Sequence, residues 1–158
     1  MINILLSVKD ALLEPQNKEI FSKYITSEDT VCLVNLSFFS KYLPTKEDYE
    51  QYYSEECEKS YETAGVYASY GVNKFNVINY YQDSKKEALK KIRNSTILHL
   101  PGGAPDEFFL RLKEFNLLDK ALYNTKVIIG SSAGSMVQLS TYQITPDQDY
   151  HDYSINNG

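Results

Sequence analysis

Five short apolar runs recur along the chain, and each of the first four is followed by a segment with helical spacing. The runs lie at residues 2–8, 31–38, 75–81, 96–100 and 126–129. They are apolar throughout rather than alternating, which is typical of strands that helices cover on both faces. Strands that alternate with helices form parallel pairs joined by crossovers. We therefore predict an α/β fold, a three-layer α/β/α sandwich with a mostly parallel sheet.

The helical segments carry recognisable start and stop signals. Thr45 is placed to cap a long helix, Ser84 and Glu87 form a capping box, and Pro105 suits a first helical turn. Asn116 tolerates the left-handed conformation that ends a helix. The helices are predicted at residues 16–25, 45–64 and 84–92, from 105 to 116, and at 117–123. After Leu139 the pattern fades, and residues 145–152 are expected to form a polar loop.

The composition fits one globular domain over residues 1–158. Hydrophobic residues make up 42% and charged residues 23% of the chain, an ordinary balance for a soluble fold. The net charge of -5 disfavours nucleic acid and anionic membrane as partners. The longest apolar runs fall well short of the roughly 20 residues of a membrane-spanning helix, and the N-terminus lacks a basic secretory signal. We expect a cytoplasmic protein.

No cofactor or metal is predicted. The two cysteines, Cys32 and Cys57, form no CxxC motif and no cluster with histidine. We expect both to be reduced, buried thiols. The sequence also lacks an intact dinucleotide-binding fingerprint.

Two glycine-containing segments follow strands, at the sheet edge where parallel sheets bind ligands. The segment at residues 130–135, Gly-Ser-Ser-Ala-Gly-Ser, fits G-x-S-x-G with Ser132 at its centre. This pattern is typical of a nucleophile elbow, a sharp strand-to-helix turn that exposes one hydroxyl. The alternative is a turn of small residues that only packs a helix on the sheet.

The other segment is Leu-Pro-Gly-Gly-Ala-Pro at residues 100–105. Its glycine pair is either a flexible strand exit or a source of a backbone amide directed at an oxyanion. Paired with the amide of Ala133, the amide of Gly103 would complete a two-donor oxyanion hole.

The combination of residues 100–103, Asn-Leu-Leu-Asp at 116–119 and Val-Ile-Ile-Gly-Ser-Ser-Ala-Gly-Ser at 127–135 resembles the peptidase E family. That family groups serine peptidases related to dipeptidase E and cyanophycinase, with the fold of class I glutamine amidotransferases. The resemblance implies hydrolysis of short peptides, including Asp-X dipeptides, with Ser132 as nucleophile and Gly103 and Ala133 as oxyanion amides. Ala104 and Ser135 depart from residues that the family often has, asparagine and alanine.

The base histidine is the large departure. In the family it follows the nucleophile by several dozen residues, whereas this sequence ends at Gly158. His99 is predicted to be a structural histidine inside a strand, and His151 to be solvated in an acidic loop. We therefore expect a domain that lacks its C-terminal part and has impaired activity. Because the missing part would leave a sheet edge uncovered, we also expect a homodimer or poor solubility.

Two other functions remain open at this stage. A chain without the base could be a non-catalytic binding or assembly protein, or the same elbow could serve an esterase or acyl transferase. An electropositive pocket for aspartate is not evident, since the arginines, Arg93 and Arg111, lie on predicted helices and are expected to be solvated.

Overall fold

The computed structural model describes residues 1–54, 58–119 and 123–156. These residues form one five-stranded sheet in the order β1-β5-β4-β2-β3, in which every pair of neighbours is parallel. The strands are β1 Ile2–Leu6, β2 Thr30–Asn35, β3 Lys74–Asn79, β4 Ile97–Leu100 and β5 Val127–Ser131. All five predicted strands are confirmed, with ends that differ by a few residues.

Helices connect the strands and cover both faces of the sheet. They are α1 Pro15–Phe21, α2 Lys46–Tyr52, α3 Glu58–Ala68, α4 Lys85–Arg93, α5 Pro105–Glu114 and α6 Ala133–Met136, with a 3-10 turn at Lys9–Leu12. The predicted caps are confirmed: Thr45 Oγ1 accepts from the amide of Asp48 at 3.1 Å, and Ser84 Oγ from that of Glu87 at 3.3 Å. Each hydroxyl satisfies an amide that the helix itself leaves unpaired.

Two apolar cores fill the spaces between the layers. On one face, Ile92 of α4 and Phe108 of α5 pack with Cys32 and Leu98 of the sheet. On the other face, Tyr67 of α3 and Leu12 of the 3-10 turn pack against the sheet. The strand residues in this core include Val31, Leu33 and Ile129. The two faces of β2, β4 and β5 are therefore both buried, which confirms the three-layer sandwich.

The single long helix predicted at residues 45–64 is wrong. Helix α2 ends at Tyr52, and α3 begins at Glu58. The carbonyl of Gln51 accepts from both the hydroxyl and the amide of Ser54, at 3.0 and 3.4 Å, so a tight turn replaces continued helix. Cys57 and its neighbours 55 and 56 lie outside the described residues.

The helix predicted at residues 117–123 is also wrong at both ends, since residues 117–119 and 123 are not helical and 120–122 lie outside the described residues. Asn116 adopts φ 61° and ends α5, as expected. The amide of Leu117 then donates to the carbonyl of Leu112 at 2.8 Å. This bond is the one that closes a Schellman motif, and it directs Leu117 into the core.

The region after Leu139 holds structure that the sequence pattern did not predict. Strands β6 Tyr142–Ile144 and β7 Ser154–Asn156 pair as an antiparallel hairpin, and the polar segment 145–152 is the loop between them. Tyr142 and Ile144 face inward and Gln143 faces solvent. An alternation of three residues is too short to be recognised in the sequence.

None of the helices in the described part of the chain is long and apolar enough to cross a bilayer.

Candidate active site

Ser132 occupies a sharp turn between β5 and α6. Its φ and ψ are 49° and −116°, an unusual conformation for a residue with a side chain. The Ser132 amide donates to the carbonyl of Leu6 at 2.9 Å, which ties the turn to the end of β1. The Ser132 hydroxyl does not cap α6, and the residue is exposed. The strand-turn-helix context that the G-x-S-x-G pattern predicts is therefore confirmed.

The flanking glycines are required by space. A Cβ at Gly130 would lie 2.2 Å from the carbonyl oxygen of Gly134, and a Cβ at Gly134 would lie 1.9 Å from that of Leu100. Both distances are far below van der Waals contact, and both neighbours are backbone atoms that cannot turn away. The turn can thus pack against β4 and α6 only with glycine at these two positions.

Ser135 stabilises the same turn through hydrogen bonds to Leu6 and Gly130. Its Oγ accepts from the amide of Leu6 at 2.9 Å and lies 2.8 and 2.7 Å from the carbonyl oxygens of Leu6 and Gly130, to either of which the hydroxyl can donate. One side chain thereby joins the ends of β1 and β5. Alanine at this position could make none of these bonds, so the departure noted in the sequence has a structural role here.

The glycine pair after β4 lies against Ser132. A Cβ placed on Gly102 would be 3.4 Å from Ser132 Cβ and 3.9 Å from Ser132 Oγ. Gly103 has φ 144°, and a Cβ there would be 1.9 Å from the carbonyl oxygen of Ser37. The two segments that the sequence singled out therefore meet at the carboxyl edge of the sheet.

Ser37, which follows β2, holds the glycine pair in place. Its hydroxyl donates to the carbonyl of Gly102 at 2.6 Å, and its own carbonyl accepts from the amide of Ala104 at 2.7 Å. Ser37 is buried. Its only sequence signal is a polar residue inside a predicted apolar strand, and the sequence analysis did not single it out.

The match to a family model shows to which family the chain belongs. The model of peptidase family S51 matches residues 41–156, which include both glycine segments and Ser132. The chain belongs to peptidase family S51. This is a family of serine peptidases, so the predicted resemblance to peptidase E is confirmed.

Two solved structures of other proteins show a similar fold. A provisionally assigned peptidase E protein from Listeria monocytogenes EGD-e superposes with a TM-score of 0.63 and 19% identity over 88% of this chain. A peptidase from an acI-B1 actinobacterium does so with a TM-score of 0.54 and 13% identity over 90% of it. The chain spans 62% and 58% of the lengths of these two proteins. No curated protein matches the sequence.

Arg111 of this S51 chain is not solvated, contrary to the prediction. It is buried; its Nη1 donates to the carbonyls of Leu36 and Phe38 at 2.8 and 2.6 Å, and its guanidinium lies 3.5 Å from the centre of the Phe38 ring. It thus braces the segment that carries Ser37. Its place between Phe108 and Leu112 on the apolar stripe of α5 is the signal that could have revealed its burial. Arg93 is exposed, as expected.

The two histidines of this S51 chain lie in different environments. His99 is buried in β4, and its Nδ1 lies 2.8 Å from the hydroxyl of Tyr67. Burial, helped by the charge of Lys9, lowers the pKa of His99 to about 4. The prediction of a structural histidine agrees with this burial, although its Nε2 has no hydrogen-bond partner among the described residues. His151 is exposed, as expected.

Two clefts meet at Gly102. The polar cleft, about 440 Å³, is lined by Lys9, Asn35, Asn79, His99 and Gly102 among others. The aromatic cleft, about 470 Å³, is lined by Phe38, Phe39, Tyr42, Leu43, Tyr52 and Tyr53 together with Gly102 and Gly103. Tyr52 and Tyr53 line both clefts as well, so the two adjoin along these residues beside the glycine pair.

The buried thiol predicted for Cys32 is confirmed, and burial raises its pKa to about 12. A thiol with such a pKa is protonated at neutral pH and is a poor nucleophile. Among the side chains that the structure describes, His, Cys, Asp and Glu form no group of three or more that could hold a metal ion.

Proposed function

We propose that this chain is a serine peptidase of the S51 type that acts on short peptides, with Ser132 as the nucleophile and the backbone amides of Gly103 and Ala133 as oxyanion donors. The observation that carries the proposal is the position of Gly102 beside Ser132 at the strand-to-helix turn, where a Cβ on Gly102 would lie 3.9 Å from Ser132 Oγ. A peptide carbonyl beside the Ser132 hydroxyl would then lie next to backbone N–H groups on both sides.

The two amides suit this role. No group among the described residues accepts a hydrogen bond from the amide of Gly103 or that of Ala133. Ala133 is the first residue of α6, where the helix itself provides no acceptor. Since α6 has only four residues, we assign the stabilisation to individual N–H groups rather than to a helix dipole. Loss of one such donor typically costs about 2.7–4 kcal/mol of transition-state stabilisation.

We further propose that hydrolysis by this chain is slow. A serine hydroxyl needs an adjacent base at neutral pH. Across the described residues, no histidine is hydrogen-bonded to Ser132, and His99 already pairs with Tyr67. The same observation favours the second candidate, a non-catalytic protein that binds peptides in the clefts without cleaving them.

A fluorophosphonate probe separates these two candidates, because it reacts with activated serines. Because no base in the described part of the chain is hydrogen-bonded to Ser132, we expect slow formation of a single adduct, mapped to Ser132 by mass spectrometry and lost in Ser132→Ala. The matched control is Ser131→Ala, which removes the neighbouring serine of the same motif and should keep the adduct. Hydrolysis of a dipeptide panel that includes Asp-X then measures turnover. A folded chain that gives no adduct would contradict the peptidase proposal and leave the binding protein.

The remaining expectations are proposals of the same kind. A homodimer is supported by the exposed apolar residues Ile2 and Leu5 on β1, an edge strand of the sheet. Light scattering at several concentrations tests it, and a monomer at all of them would contradict it. A cytoplasmic location is consistent with the reduced state proposed for Cys32 and is tested by cell fractionation.

A further inference from the structure

The aromatic cleft lies directly beside the proposed oxyanion donor. Gly102 and Gly103 form one of its walls, and the remainder is apolar and largely aromatic. The residues are Phe38, Phe39, Tyr42, Leu43, Tyr52 and Tyr53. A Cβ on Gly102 would lie 3.4 Å from Ser132 Cβ, so a peptide held between Gly102 and Ser132 would have a neighbouring side chain beside this cleft.

Partners outside the cleft hold three of its five rings in place. The hydroxyl of Tyr42 donates to Asp149 at 2.5 Å. The ring of Phe39 packs on that of Tyr150 with centres 5.9 Å apart, and the hydroxyl of Tyr150 donates to Asp106 at 2.6 Å. The third ring, Phe38, packs on the buried Arg111 guanidinium described above. Rings fixed in this way need little reordering on binding, which favours affinity.

The cations near the cleft are already matched by anions. Lys41 lies 2.8 Å from a carboxylate oxygen of Asp149, and its ammonium sits over the ring of Tyr42, 5.0 Å from the centre. Arg111 is paired with Glu107 as well as with backbone carbonyls. An acidic side chain in the cleft would therefore lose water without gaining an uncompensated positive charge. An aromatic side chain would bury apolar area and could stack on the rings.

We propose that the aromatic cleft is the subsite for a large apolar side chain, aromatic by preference, on the residue next to the bond at Ser132. The assignment rests on the proposed function, because it takes Ser132 and the glycine pair as the point where the peptide is held. It makes the preferred substrate of this chain a peptide with phenylalanine or tyrosine, rather than aspartate, at that position.

The test measures binding rather than turnover, so that slow hydrolysis does not obscure it. Titration calorimetry on the Ser132→Ala chain compares Phe-Ala and Ala-Phe with Asp-Ala, Ala-Asp and Ala-Ala. Both orders are used because either neighbour of the bond could enter the cleft. We expect one of the two Phe dipeptides to bind about tenfold or more tightly than Ala-Ala, as burial of an aromatic side chain implies. The Asp dipeptides should bind no better than Ala-Ala.

Variants in the same background locate the effect. Phe39→Ala and Tyr42→Ala should each remove most of the Phe preference, whereas Tyr42→Phe, which keeps the ring, should retain it. Tyr153→Ala is the control, since Tyr153 is an exposed aromatic residue of the β6–β7 region outside the cleft. Tyr42 is also exposed, so its replacement tests the cleft even if Phe39→Ala fails to fold.

The inference is overturned if neither Phe dipeptide binds better than Ala-Ala, if an Asp dipeptide binds more tightly than both, or if Tyr42→Ala keeps the preference. Fluorophosphonate labelling of the unmodified chain separates this result from the proposed function. An adduct at Ser132 without a Phe preference overturns the subsite alone. A Phe preference without an adduct overturns the peptidase proposal and leaves the cleft as a binding site.

Discussion

A side chain on Gly102 would reach to 3.4 Å from Ser132 Cβ and 3.9 Å from its hydroxyl oxygen. The neighbouring position is different, since a Cβ on Gly103 would lie 1.9 Å from the carbonyl oxygen of Ser37. The first distance is ordinary contact and the second is a clash with backbone. A side chain at Gly102 would therefore limit access to Ser132, whereas a side chain at Gly103 would disturb the packing of the backbone.

This contrast predicts different defects for the two alanine variants. Gly102→Ala should fold normally but react with a fluorophosphonate several-fold more slowly, because its methyl group partly covers the Ser132 hydroxyl. Gly103→Ala should lower the free energy of unfolding by about 2–4 kcal/mol, since the backbone must move and φ 144° does not suit alanine. Labelling rates and urea titrations measure the two effects. Equal stability of the two variants would contradict the prediction.

Gly134→Ala should also destabilise the chain strongly, because its Cβ would lie 1.9 Å from the carbonyl oxygen of Leu100. We expect a loss of several kcal/mol in the free energy of unfolding, or failure to fold. Gly65→Ala is the matched control: this glycine lies within α3, with nothing within 4 Å of a Cβ. There alanine should stabilise the helix by about 0.5–1 kcal/mol. Thermal melts of the two variants should therefore shift in opposite directions.

Ser37→Ala should slow acylation of Ser132 more than it affects stability. It removes the hydroxyl that donates to the Gly102 carbonyl at 2.6 Å but keeps the carbonyl that accepts from Ala104. Loss of one hydrogen bond costs about 1 kcal/mol of stability. Without this bond the glycine pair is less firmly held beside Ser132, so the rate of labelling at saturating probe should decrease. Ser22→Ala, which removes an exposed hydroxyl just after α1, is the control, and an equal rate in both variants would argue against a positioning role for Ser37.

Arg111→Met should cost about 2–4 kcal/mol of stability, because it leaves the carbonyls of Leu36 and Phe38 without their buried donor. Lys113→Met, at an exposed position of the same helix, should change stability by about 0.5 kcal/mol or less. Chemical denaturation distinguishes the two. A small effect of Arg111→Met would mean that the segment after β2 does not depend on this guanidinium.

The free energy of unfolding should decrease as the pH is lowered from about 6.5 to 4, because of His99. Its pKa is about 4 in the fold, below the usual 6.5, so the unfolded chain binds the extra proton first. The contribution is complete above pH 6.5 and declines toward pH 4 by about 3 kcal/mol at most. The difference in unfolding free energy between the unmodified chain and His99→Phe should show this slope. A difference independent of pH in that range would contradict it.

The sequence predicted the sheet well because its signals are local. Each buried strand is a continuous apolar run, and Thr45 and Ser84 mark helix starts through residues only three positions away. The sharp turn at Ser132 was predictable for the same reason, since the turn, its glycines and its strand are consecutive.

What the sequence did not predict depends on distant contacts. Ser37 acts on Gly102 across 65 positions, and Arg111 acts on Leu36 across 75. Two features are exceptions. The turn that ends α2 is local, since Ser54 bonds to the carbonyl of Gln51, but no glycine or proline marks it. The strands of the β6–β7 hairpin have only three residues each, too few for an alternation to be recognised. The two clefts are assembled from several strands and helices and have no signal in any one segment.

The bonds between Ser135 and Leu6 join residues 129 positions apart, and in the described sheet β1 pairs only with β5. During synthesis, the first strand must therefore wait for most of the chain before its partner emerges. Contacts of such long range form late, because closing a long loop is entropically costly. The turn that presents Ser132 can become rigid only after β1 has paired with β5 and the bonds between Ser135 and Leu6 have formed. In a nascent or partly unfolded chain, the hydroxyl of Ser132, the proposed nucleophile, would thus not be held in position until the sheet is complete.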